Sequence, residues 1–251
     1  MQKVIPKAEE QIIQSWKNYL DYTKSFFQDT HYDMYDMGES KDNHSRHDKD
    51  TEYIKNMILP ISDHSDVWAG KKALDFGCGC GRNIRNLIQA AEFSRVDGCD
   101  VSLLNANYSK KYIENLFNLD EGQTKCRTWE TNGYNLQPCE DNEYDYVMSH
   151  IVFQHIANYS IRFNIIKDIY RVLNKGGIAN LHFMDLGGSV SYYEEYPSPG
   201  SIGEQGLLNC RVEDSSYLIK DFSEIGFRKI ECFVGIDPYA NKKSYYIRGI
   251  K

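Results

Sequence analysis

Two kinds of periodicity divide the chain. From Lys3 to about Phe27, the positions Ile12, Ile13, Trp16, Tyr19, Leu20, Tyr22 and Phe26 recur at roughly helical spacing between charged residues, which predicts one amphipathic helix. The next stretch, QDTHYDMYDMGESKDNHSRHDKD, holds too few apolar residues to bury much surface and reads as a mobile loop or lid. A shorter helical pattern, TEYIKNMILPI, is expected to close at Pro60, which has no N–H to continue the ladder. From Lys71 onward short apolar runs alternate with helical segments, the signature of βαβ units on a parallel sheet. Strands are predicted at about Lys72–Phe76, Arg95–Asp100, Lys125–Glu130, Tyr144–Ser149, Ile178–Met184, Lys229–Val234 and Ser244–Gly249. Helices are predicted near Asn83–Ala91, Leu103–Phe117, Ser160–Leu173 and Asp214–Ile225. Only GIDPYANKKS separates the last two strands, too short for a crossover helix, so they must pair as an antiparallel hairpin.

The expected architecture is therefore α/β: a doubly wound, Rossmann-like, seven-stranded mixed sheet with an antiparallel C-terminal hairpin and an N-terminal helical cap. Residues 1–66 would form the cap or lid and residues 67–251 the sheet domain. A net charge of −7 and a pI near 5.5 argue against the dense basic face of a nucleic-acid binder. No apolar run is long enough to cross a bilayer and the opening residues lack a signal-peptide core, so no membrane partner is expected and a cytoplasmic location is. Seven cysteines, at 78, 80, 99, 126, 139, 210 and 232, show neither disulfide-framework nor zinc spacing, which points to a reducing compartment and no metal. His44 and His47 with Asp42 and Asp48 are read as part of a solvated polar loop.

The sharpest local signal is Ala73-Leu74-Asp75-Phe76-Gly77-Cys78-Gly79-Cys80-Gly81-Arg82-Asn83, a predicted strand passing through a glycine-rich turn into a helix. Glycines let the backbone turn sharply and lie close to a ligand, and open α/β sheets bind ligands beyond the carboxyl ends of their strands. No Gly-Lys-Ser/Thr follows, which excludes a P-loop, and Arg82 stands where the dinucleotide fingerprint needs its third glycine. The run Asp-x-Gly-x-Gly-x-Gly resembles motif I of the class I S-adenosylmethionine-dependent methyltransferases. The resemblance extends from about Ala73 to Met184, in the order and spacing of the small-molecule branch often called type 11. Val96-Asp97-Gly98-Cys99-Asp100 resembles its acidic second strand. Glu143 to Ile156 resembles its fourth strand and the turn after it, and Arg171-Val172-Leu173-Asn174-Lys175-Gly176-Gly177 its entry to the fifth.

The resemblance implies S-adenosyl-L-methionine as cofactor, S-adenosyl-L-homocysteine as product and a small-molecule methyl acceptor. It implies a cofactor site built from Asp75, Gly77, Cys78, Gly79, Gly81, Asn83, Asp100, Val101, Asn132, Gly133, Ser149 and His150. Asp100 would accept both ribose hydroxyls, Asn132 would accept from the adenine amine, and Asp75 would help fix the turn near the methionine amino group. His155, past the fourth strand, is the candidate general base, since imidazole titrates near neutrality. The long connection LGGSVSYYEEYPSPGSIGEQGLL, with Tyr192, Tyr193, Glu194, Glu195 and Tyr196, would contribute aromatic faces and carboxylates to the acceptor pocket. The alternatives are an aminopropyl transferase or another user of a related sulfonium, a catalytically degenerate cofactor-binding protein, and an RNA or protein methyltransferase. Ser149-His150-Ile151-Val152 stands where an RNA enzyme would carry an Asn/Asp-Pro-Pro-Tyr/Phe motif. Oxygen versus nitrogen as the accepting atom, and the oligomeric state, a homodimer included, stay open at the level of sequence.

Overall fold

The structure, a computed structural model, describes residues 51–118, 125–156, 158–185, 190–195, 210–237 and 241–251. The helix predicted over Lys3–Phe27, the polar stretch after it with its His44 and His47, and Tyr196 lie outside the described residues.

The described chain opens with a composite helix α1, made of Thr51–Tyr53, a π-helical turn Ile54–Ile58 and Leu59–Ser62, followed by the short α2, Ser65–Trp68. The sheet domain then runs β1 (Lys72–Phe76), α3 (Arg82–Ala90), β2 (Arg95–Asp100), α4 (Leu103–Leu116), β3 (Thr128–Glu130) and β4 (Tyr144–Ser149). A 3-10 turn, Phe153–His155, leads to α5 (Tyr159–Val172) and β5 (Leu173–Met184). The remaining elements are β6 (Val190–Ser191), β7 (Cys210–Arg211), α6 (Ser215–Ile225), β8 (Arg228–Asp237) and β9 (Lys242–Ile250). Seven strands form one sheet in the order β3-β2-β1-β4-β5-β9-β8, parallel throughout except β9, which runs antiparallel to both neighbours. This is the predicted mixed sheet with its C-terminal hairpin.

The central strands β1, β2 and β4 are buried along nearly their whole length. One face carries α1, α3 and α4, packed through Tyr53, Met57, Ile61, Ile84, Leu87 and Ile113. The other carries α5 and α6, packed through Ile161, Ile165, Ile169, Leu218 and Phe222. The strand order reverses between β1 and β4, and the carboxyl ends of β1, β2 and β4 converge there on the turn Gly77–Gly81.

Three expectations are corrected. Pro60 does not close α1, which continues to Ser62 after the wide π turn. A proline at 60 cannot donate to the carbonyl of Asn56, and that freed oxygen instead accepts from Asn180 Nδ2 on β5 (2.9 Å) and Arg248 Nη2 on β9 (3.1 Å). The break in the ladder thereby docks α1 onto the sheet. Regular β3 pairing begins at Thr128, not Lys125, although Val96 N–H already donates to Lys125 O (2.8 Å) and Gly98 N–H to Arg127 O (2.8 Å). The connection after β5 is not wholly irregular, because β6 pairs parallel with β7 in a separate two-stranded sheet.

Gly77 is required twice over. Its φ is +75°, and a Cβ there would lie 2.3 Å from Val152 Cγ2 in the turn after β4. Gly77→Ala is expected to cost about 3 kcal/mol, combining backbone strain with overpacking against Val152. The loss is read as a lower urea midpoint at unchanged slope.

Candidate active site

The turn between β1 and α3 is shaped by neighbouring strands. Gly77 N–H and Cys78 N–H both donate to Cys99 O, at 2.8 and 2.9 Å, and Gly81 N–H closes the loop on Cys78 O at 2.9 Å. Asp100, at the end of β2, reaches across: its Oδ2 accepts from Gly79 N–H at 3.0 Å and its Oδ1 from Ser102 N–H at 2.9 Å. Asp100 therefore both fixes the glycine turn and starts α4, which Ser102 caps by accepting from Asn105 N–H at 3.3 Å. Val101 is half-buried between them. Among the described residues nothing lies within 4 Å of where a Cβ on Gly79 would stand, so the turn presents bare backbone on that side. Cys78 packs against Gly98, and burial, followed by Asp100 and Asp75, pushes its thiol well above the ordinary value. A thiol kept protonated in this way is a packing group, not a nucleophile or a ligand.

Asp75, at 0% exposure, is the buried carboxyl behind the turn. Its Oδ1 accepts from Asn83 Nδ2 at 3.2 Å, while its Oδ2 is buried with no hydrogen-bond partner among the described residues. Burial raises its pKa to about 7, against the opposing pull of the Asn83 amide and Arg82, with Asp100 adding to the rise. Asn83 in turn accepts from Tyr53 OH at 2.8 Å, so α1 touches the glycine turn directly.

Beyond β4 a row of rings borders the turn. His150 lies 4.4 Å from the Tyr53 ring and 4.6 Å from that of His182, which lies 4.7 Å from Tyr246. Arg82 Nη2 stands 3.2 Å from His150 Nδ1. Ile151 has φ +60°, a left-handed conformation that costs a β-branched residue about 1–2 kcal/mol. It is held there by its N–H donating to His182 Nδ1 at 3.2 Å, while Ser149 Oγ ties the end of β4 to Phe76 O at 2.8 Å. Tyr53, Arg82, His182 and Ile151 were not singled out from sequence as site residues. Their only available signal was Arg82, which sits inside the motif.

The sequence-derived residues fall into three groups. Asp75, Gly77, Cys78, Gly79, Gly81, Asn83, Asp100, Val101, Ser149 and His150 gather at the switch point. Asn132 and Gly133 sit beyond β3, joined to this cluster through Thr131 N–H donating to Asp100 O at 2.8 Å. Asn132 is exposed, and its Oδ1 accepts from Tyr134 N–H (2.9 Å) and Asn135 N–H (3.0 Å). It builds the turn. His155 is half-buried in the 3-10 turn, its Nε2 3.4 Å from Gln154 Nε2.

The connection after β5 uses its aromatic and acidic residues differently from expectation. Tyr192 is buried and its hydroxyl donates to Asp221 on α6 at 2.7 Å. Glu195 caps α5, accepting from Ser160 N–H at 2.6 Å, and Glu194 accepts from Ser191 N–H at 2.9 Å. The fully buried Arg162 donates to Ile156 O and Tyr192 O, joining this connection to the backbone just after His155. Tyr193 is partly exposed, packed against Tyr159, Tyr192 and Tyr217 with Lys220 Nζ 5.3 Å above its ring.

Residues 73–177 match the family model described as a methyltransferase domain. No curated protein matches the chain in sequence. Among solved structures, a methyltransferase from Methanosarcina mazei superposes with a TM-score of 0.56 at 18% identity, over 72% of this chain and 92% of that one. A methyltransferase from Aquifex aeolicus gives 0.53 at 14% identity, over 80% and 93%. Phosphoethanolamine N-methyltransferase 2 of Haemonchus contortus, solved with phosphomonomethylethanolamine and S-adenosylhomocysteine, gives 0.54 at 16% identity, over 73% of this chain and 49% of that enzyme. At these identities the likeness is one of fold. Together with the match over residues 73–177, it gives the sheet domain the fold of methyltransferases that use S-adenosylmethionine as cofactor. The residues present fit that cofactor, because a buried carboxylate oxygen without a partner suits an ammonium group and the bare Gly79 backbone admits a ligand.

Proposed function

We propose that this chain transfers the methyl group of S-adenosylmethionine to an oxygen or nitrogen of a small-molecule acceptor. The observation that carries the reading is the pair of carboxylates flanking the glycine turn. Asp75 has one buried oxygen unmatched, and Asp100 is anchored to Gly79 at the end of the neighbouring strand. Asp75 takes the methionine ammonium, steadied by Asn83, and Asp100 takes the ribose hydroxyls, as a carboxylate suits a vicinal diol. Gly77, Gly79 and Gly81 with Cys78 give the backbone cradle. Val101, Asn132 and Gly133 shape the adenine wall, Asn132 through its turn, and Ser149 and His150 close the side toward β4.

When bound, the cofactor supplies a sulfonium methyl group open to in-line displacement. The chain's part is to hold the acceptor close and aligned. For an oxygen acceptor His155 takes the proton, whereas an amine that arrives neutral needs no base at the moment of transfer. Of the N-terminal region, α1 reaches this end of the sheet through Tyr53, whose hydroxyl donates to Asn83. An acidic chain suits a small acceptor better than a nucleic acid, and seven cysteines outside any disulfide suit the cytoplasm. Among the described residues no helix is long and apolar enough to cross a membrane.

The test is incubation with methyl-labelled S-adenosylmethionine and panels of small amines and hydroxyl compounds, with RNA and protein alongside. Label is expected in a small molecule only. If that molecule is a hydroxyl compound, His155→Ala should lower kcat about 100-fold with KM little changed. A protein that binds the cofactor and labels nothing is a binder, and label in RNA or protein contradicts the acceptor class.

A further inference from the structure

We infer that Tyr53 of α1 is a positioning residue of the cofactor site, setting through Asn83 the orientation in which Asp75 receives the ammonium group. The inference rests on the assignment of Asp75 to the cofactor made above.

Hydrogen-bond direction carries the argument. Asn83 turns its amide nitrogen toward Asp75, with Nδ2 3.2 Å from Oδ1, an oxygen that accepts whether Asp75 is ionised or protonated on Oδ2. Its carbonyl oxygen then faces away and accepts from Tyr53 OH at 2.8 Å. The Tyr53 hydroxyl, having given its proton, accepts from Asn86 Nδ2 at 3.0 Å. The donors therefore run one way, from Asn86 to Tyr53 to Asn83 to Asp75, through four side chains none more than 8% exposed. In such a chain each bond polarises the next, and removing one link leaves a buried group unmatched. The chain uses Asp75 Oδ1 and leaves Oδ2, the oxygen assigned to the ammonium, buried and without a hydrogen-bond partner among the described residues.

The ring of Tyr53 does separate work, lying 4.4 Å from the His150 ring and 5.9 Å from the Arg82 guanidinium carbon. Nor does α1 depend on the hydroxyl for docking. The Asn56 carbonyl is tied to Asn180 and Arg248, and Tyr146 OH donates to Met57 O at 3.4 Å. Tyr53→Phe is thus a specific probe: it removes the hydroxyl and keeps ring and helix in place.

The experiment compares the parent protein with Tyr53→Phe, and with Asn83→Ser as a second break in the chain, by calorimetric titration. The probes are S-adenosylhomocysteine and 5′-methylthioadenosine, which has the nucleoside and thioether but no ammonium. Both variants are expected to bind S-adenosylhomocysteine about tenfold more weakly than the parent, since roughly one charge-assisted bond is mis-set, and 5′-methylthioadenosine with unchanged affinity. Equal affinity of parent and Tyr53→Phe for S-adenosylhomocysteine overturns the inference, as does a parallel loss for both probes, which marks a general structural effect. Absence of binding by the parent protein overturns the cofactor site as well, whereas the first two outcomes leave that site standing.

Discussion

Asp100→Ala is expected to remove measurable binding of S-adenosylhomocysteine from a protein that remains folded. Two losses add in one place. The ribose diol loses an ionised acceptor, and hydrogen bonds to charged groups are worth about 1.5–3 kcal/mol each. The glycine turn also loses the carboxylate that holds Gly79 N–H at 3.0 Å, so the backbone that should lie against the ligand is no longer preset. Together these correspond to a fall of about 100- to 1,000-fold in affinity. Stability should fall by about 1–3 kcal/mol, because Ser102 still caps α4 while its own N–H and that of Gly79 lose their acceptor. Asp100→Asn separates the two roles, since it keeps an acceptor for Gly79 and loses the charge, and its affinity should lie between those of parent and alanine variant.

Asp75→Asn should move stability and binding in opposite directions. Burial raises the Asp75 pKa from 3.8 to about 7. Between those values the folded protein holds a proton that the unfolded chain has released, so stability falls as pH rises from about 4 to about 7. The span corresponds to an upper bound of about 4 kcal/mol, lowered by whatever relaxation accompanies ionisation. Asparagine cannot ionise, so the variant should be more stable than the parent at pH 8 by about 1–3 kcal/mol and show a flatter pH profile. Its affinity for S-adenosylhomocysteine should fall about 30- to 100-fold, because the ammonium loses its only assigned counter-charge. In the parent, binding should release protons near pH 7 as the arriving cation pulls the Asp75 pKa down. This is detectable as a buffer-dependent binding heat. A variant no more stable at pH 8, with affinity intact, would remove Asp75 from the site.

Much of the fold was legible because its central strands are short runs bounded by charge or glycine. KALDF, RVDGCD and YDYVMS end where predicted, each at the carboxyl edge where the motif residues stand. The hairpin followed from loop length alone. Residues that act through distant partners were not legible. Tyr53 meets Asn83 across 30 positions and His150 across a further gap, and no local pattern marks an aromatic as the end of a hydrogen-bond chain. Pro60 read as a stop because propensity counts the missing donor and cannot see Asn180 and Arg248 waiting for the freed carbonyl. Tyr192 and Glu195 read as pocket residues from composition, yet Asp221 draws the first into the core and the α5 N-terminus draws the second to a cap. Asn132 likewise has an acceptor suited to a ligand, and its own turn takes it first.

The most direct test of the account is titration of the purified parent protein with S-adenosylhomocysteine at two temperatures, so that a vanishing heat at one cannot mimic absence. Saturable binding at one site per chain, with affinity in the micromolar range or on the order of −8 kcal/mol, is the result expected of the Asp75–Asp100 site. No heat at either temperature, together with no rise in melting temperature at millimolar ligand, would contradict it.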